Sequence, residues 1–136
     1  MKNNKLIKEL YHVNLYVCDS VKKAKKVHSQ FCEDEFELPE VEFGGLTYYE
    51  SNIGLIIVVF DKNFIEMDIY KKLKVVSHET YHILRNILDF IGEYSEAEEM
   101  NAYLTGYINK YIIKELKMFW YYIEKMIHKE KKQWIM

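Results

Sequence analysis

Two histidines four residues apart enclose a glutamate in the run His78-Glu79-Thr80-Tyr81-His82. On a helix, side chains at this spacing project from one face, about a turn apart. Imidazole nitrogens bind zinc at roughly 2.0–2.1 Å, so such a pair reaches one ion without bending the helix. Glu79 follows the first histidine and points partly aside, which sets its carboxylate beside the ion rather than on it. From there it can act as general base on a zinc-bound water, whose pKa zinc lowers to about 7. The chemistry of the pattern is metal-assisted hydrolysis. The plainer alternative is a pair of hydrogen-bonded surface histidines beside a solvated or salt-bridged carboxylate.

A tetrahedral catalytic site takes three protein ligands and leaves one position open. Glu96, Glu98 and Glu99 all fall at the start of the next helix, where the chain has doubled back. Glu99 is preferred as the third ligand because its stripe includes Ala102 and Gly106, small residues that would let the two helices approach closely. Glu98 is the next candidate, although it also completes a capping-box pattern with Ser95. Asn86 and Asp89 lie four and seven residues after His82 and are candidates to orient a metal-bound imidazole. A merely polar helix face explains them as well. Tyr103 and Tyr107 are candidate transition-state stabilisers, able to donate a hydrogen bond to an oxyanion. Tyrosines at helical spacing are more often core residues with a wet hydroxyl. His128 is a remoter candidate acid, and His12 and His28 are taken as structural.

These groups need a scaffold, and the sequence predicts an α+β one in a single domain. Leu6 to Cys18 is expected to be extended, with Val13, Leu15 and Val17 alternating with polar residues. Asp19-Ser20 caps a lysine-rich helix from Val21 to about Phe31. An acidic loop from Cys32 to Glu42 follows and holds the single proline, Pro39. Residues 43–60 form a β-hairpin, with a polar edge strand at Leu46 to Glu50 and a β-branched run at Ile53 to Phe60 covered on both faces. Asp61 to Asp68 is an ambiguous connection. Helical periodicity then runs from Ile69 to Ile91 and stops at Gly92. A second long helix spans 95–132, with a break expected around Lys114 to Lys117.

The stretch from Val75 to Tyr107 resembles the zincin superfamily in its gluzincin branch. More narrowly, it is similar to small phage-encoded proteins in which an H-E-x-x-H helix is followed by E-x-x-A-Y-L-x-G-Y. Here that second pattern is Glu99, Ala102, Tyr103, Leu104, Gly106 and Tyr107. The segments GGLTYYE and GLIIVVF stand where a zincin has its edge strand and the strand leading to the active helix. The resemblance implies a zincin-like fold with a small antiparallel or mixed sheet. It also implies zinc on His78, His82 and Glu99, with Glu79 as general base. A peptide substrate would lie along the edge strand that contains Tyr48 and Tyr49, adding main-chain hydrogen bonds. The resemblance leaves the first third of the chain without a counterpart.

Composition bounds the alternatives. The chain has 136 residues, enough for one genuine hydrophobic core. Its 19 basic and 21 acidic residues give a net charge of −2, which makes no electrostatic case for nucleic acid. No apolar run approaches the roughly 20 residues of a membrane span. No signal peptide is visible, and the two cysteines, Cys18 and Cys32, are expected as free thiols in a cell interior. The expected setting is the cytoplasm of a host cell, or a virion. The aromatic tail from Phe119 to Met136 is expected to pack as a helix with a basic end. The leading expectation is therefore a zinc-dependent metallopeptidase hydrolysing a peptide or other amide bond. Small size motivates an alternative of another class: a catalytically inactive zincin-like phage protein, serving in the virion or binding and inhibiting a host protein.

Overall fold

The chain opens as a helix rather than as the extended segment expected from Leu6. In the computed structural model, which describes residues 2–38, 44–92 and 98–117, helix α1 spans Lys5–Tyr11. The Asn4 side chain accepts a hydrogen bond from the Ile7 amide and starts it. His12, in the left-handed region at φ 60°, ends it. Ile7 alone of this helix is buried, so the seven residues carry too short an apolar pattern to betray themselves. Strand β1, Asn14–Cys18, is correspondingly shorter, and all five of its residues are buried instead of every second one.

Ser20 caps helix α2, Val21–Phe31, through its side chain and the Lys23 amide. Strands β2, Gly45–Glu50, and β3, Leu55–Phe60, form the expected hairpin. Gly54 sits in its turn at φ +60°, with the Phe90 ring so close that an added Cβ would stand 2.7 Å from it. The connection after β3 contains a short helix α3, Lys62–Glu66, capped by Asp61. Helix α4 spans Ile69–Ile91, the expected bounds, from an Asp68 cap to Gly92 at φ +70°. Helix α5 spans Glu98–Glu115, and Lys117 follows at φ 53°; the rest of the helix expected to residue 132 lies outside the described residues. The proposed Ser95 cap, Glu96, the end of the acidic loop with Pro39, and the tail with His128 lie outside the described residues.

The architecture is α+β, with a three-stranded mixed sheet in the order β1-β3-β2. β3 pairs parallel with β1, Tyr16 opposite Ile57, and antiparallel with β2, Tyr48 opposite Ile57. Central position explains why β3 is a continuous β-branched run: alternate residues serve opposite faces, and both faces are dry. Ile56, Val58 and Phe60 pack with Val76, Ile83 and Ile87 of α4 and Leu104, Ile108 and Ile112 of α5. Leu55, Ile57 and Val59 pack with Ala24 and Val27 of α2 on the other side. Among the described residues, no helix is long and apolar enough to cross a membrane.

Candidate metal centre

Helix α4 lies along the edge strand β2, running in the same sense. Glycine at position 45 permits this closeness: an added Cβ would stand 3.0 Å from Glu79 Cγ and 3.0 Å from Val75 Cγ1. Two residues on, the Thr47 hydroxyl donates to Glu79 Oε2 at 2.5 Å. Two further on, the Tyr49 hydroxyl donates to Asp89 Oδ2 at 2.8 Å. Alternation along the strand sends residues 45, 47 and 49 toward α4, while Tyr48 faces α2. There the Tyr48 ring meets those of His28 and Phe36. Burial and nearby acidic groups push its phenol up to about 12.

His78 and His82 occupy the exposed flank of α4, on either side of Glu79, the first of the two points where β2 is anchored. Their Nε2 atoms approach to 3.1 Å, with ring centroids 4.7 Å apart and planes inclined at 74°. Two nitrogens on one tetrahedral zinc stand about 3.3 Å apart, from the bond lengths and the tetrahedral angle. The pair therefore fits an ion with little adjustment; it equally fits an N–H···N hydrogen bond between rings of complementary tautomer. Glu79, only 3% exposed, turns beneath β2 and lines a cavity of about 280 Å³ with His78, Gly44, Gly45, Lys74 and Val75. His78 and the buried Glu79 thus share one recess that opens beside β2.

The residues assigned to α5 fall elsewhere. Leu104, Ile108 and Ile112 take the buried face of that helix. Glu99, Ala102, Tyr103, Gly106, Tyr107 and Lys110 line a separate open groove, and an added Cβ at Gly106 would meet nothing within 4 Å. The small residues therefore face outward and do not mediate close helix packing. Glu99 is exposed, as is Glu98. Among the described residues, the histidine pair and Glu99 do not form a group whose ligand atoms all lie within 4.8 Å. Tyr103 is 77% exposed, and the Tyr107 hydroxyl is engaged with the side chain of Asn4 at 3.1–3.2 Å. Asn86 is half-buried, and Asp89 ties α4 to β2 through Tyr49.

A different constellation lies at the end of α2. His28, Cys32 and Asp34 present one ligand atom each within 4.8 Å of one another. The spacing H-x-x-x-C-x-D at a helix end was the available signal; His28 taken as structural and Cys32 taken as a free thiol leave it unread. Cys18, by contrast, is buried, and that burial pushes its thiol up to about 12, an inert position. Comparison with family models, with curated proteins and with solved structures finds no match.

The bond between Thr47 and Glu79 has a measurable consequence. Thr47→Val keeps the side-chain shape but leaves a buried carboxylate oxygen without its donor, which should cost about 1–3 kcal/mol. Urea denaturation should show this loss, and Thr47→Ser, which restores the hydroxyl, should recover most of it. Equal stability of the valine variant would remove Thr47 as the group that holds Glu79.

Proposed function

We propose that this chain is a zinc-dependent hydrolase of the zincin kind, acting on a peptide or other amide bond. The observation that carries the reading is the 3.1 Å approach of His78 and His82 Nε2 beside the recess that Glu79 lines. Imidazole pairs of this separation suit zinc, a borderline cation that takes nitrogen and carboxylate oxygen alike. His78 and His82 would hold the ion; Glu99, with Glu98 next, is the third ligand that the sequence offers, and both stand on the exposed face of α5. Once bound, zinc supplies Lewis acidity to a carbonyl and acidifies water.

The chain's own groups divide the remaining work. Glu79 accepts the proton of the attacking water and returns it to the leaving amine. Thr47 holds one carboxylate oxygen, which fixes the orientation of the base and leaves the other available. A substrate main chain adds to the edge of β2 that pairs with no strand among the described residues, the other edge being paired with β3. Burial of Glu79 under that strand keeps the base dry on one side and adjacent to the bound chain on the other.

Metal content tests the reading. Zinc measured by mass spectrometry on untagged protein should fall by one equivalent per chain in His82→Ala relative to wild type. Unchanged zinc in the variant would sink the site. A second reading is favoured by the outward face of Glu99: a zincin-like protein that binds a partner protein and has no catalytic role. Zinc lost in His82→Ala, with no cleavage of any peptide pool by wild type, would favour it.

A further inference from the structure

The C-terminal end of α2 gathers three side chains of different chemistry. His28 is 2% exposed and packed between Phe36, at 4.9 Å between ring centroids, and Tyr48, at 5.3 Å. The Tyr48 hydroxyl lies 3.3 Å from His28 Nε2, so the ring's orientation is fixed by neighbours on two other segments. Cys32, one turn later, is partly buried, and Asp34 lies just beyond it on the surface. Their ligand atoms lie within 4.8 Å of one another, against about 3.4–3.6 Å for ligands on one tetrahedral zinc. Cys32 and Asp34 stand at the more accessible end of the cluster, where side-chain rotation can bring their donors onto an ion held by His28.

We propose that His28, Cys32 and Asp34 form a metal site, separate from the histidine pair, for a borderline-soft divalent cation of the zinc class. The donor set explains the choice: thiolate and imidazole disfavour magnesium and calcium, while the carboxylate and mixed donors suit zinc or cobalt over copper(I). The location adds to it. The negative end of the α2 dipole points at the cluster, which favours a cation there. Binding releases the Cys32 proton to solvent and joins the sulfur to the ion. The bound ion clamps the last turn of α2 to the acidic segment that leads away from it, and leaves one coordination position open.

Cobalt(II) reads this site without reference to any enzymatic activity, because a thiolate ligand produces a sulfur-to-cobalt charge-transfer absorption that imidazole and carboxylate do not. Titration of the purified chain with cobalt(II) should produce that band, and zinc should bleach it. Cys32→Ser should abolish it, while circular dichroism confirms that the variant is folded. Asp34→Asn should weaken cobalt binding on the order of tenfold. The His78→Ala/His82→Ala double variant should retain the band in full, which separates this site from the one on α4. No band in wild type, or a band that survives Cys32→Ser, would overturn the proposal.

Discussion

Glu79→Gln is expected to lower hydrolysis by a factor on the order of 10²–10⁴ while zinc content and melting temperature stay close to wild type. The substitution is nearly isosteric, and a glutamine carbonyl can still accept from the Thr47 hydroxyl that now meets Oε2 at 2.5 Å. The packing under β2 therefore survives, including the tight approach of Gly45 to the Glu79 stem. What is lost is basicity, since an amide does not take a proton near neutral pH. Glu79→Ala would be a poorer experiment, because it also opens a hole under the strand and confuses stability with chemistry. The assay is cleavage of a broad peptide pool, read by mass spectrometry and run in parallel with metal analysis. Activity retained in Glu79→Gln would show that the base is some other group, and the proposed division of roles would fall.

The sequence made some of this legible for identifiable reasons. Helix α4 was readable to its last residue because its apolar positions recur over 23 residues and Gly92 adopts the left-handed stop. The hairpin was readable because β3 is an unbroken β-branched run, a pattern that only a strand dry on both faces tolerates. Helix α1 was not: with Ile7 its one buried residue and both Leu6 and Leu10 exposed, seven residues carry no usable period. The parallel pairing of β1 with β3 joins residues some forty apart, and no local signal encodes it. The orientation of α5 failed for a subtler reason. Tyr103, Tyr107 and Tyr111 sit among its aliphatic residues, so apolar character is spread around the helix and two faces compete. Leu104, Ile108 and Ile112 take the buried face because they are aliphatic and carry no hydroxyl to keep wet, and Glu99 is carried outward with the other stripe. The pair His78 and His82, whose geometry is local to one helix, was readable; a ligand from a second helix depends on that helix's rotation, which was not.

Ile83→Ala tests the rotation of α4, on which the whole centre depends. Glu79 and Ile83 are one turn apart on the buried stripe, so whatever turns Ile83 inward also turns Glu79 beneath β2. Ile83 is fully buried between the sheet and α5, in the same cluster as Ile56, Val58 and Ile108. Its truncation should cost about 2–5 kcal/mol, transfer and cavity contributions together. Tyr81, two residues earlier and 60% exposed, projects from the other side, and Tyr81→Ala should change stability by about 0.5 kcal/mol or less. Chemical denaturation of the two variants gives the comparison directly, with the slope checked so that a change of midpoint means a change of stability. The predicted order is strongly asymmetric. A reversed or equal order would mean that α4 is rotated in solution, that Glu79 is not held under the strand, and that His78 does not border its recess. The expected asymmetry would tie the position of the base to the packing of the core, since one helix face cannot bury Ile83 and expose Glu79.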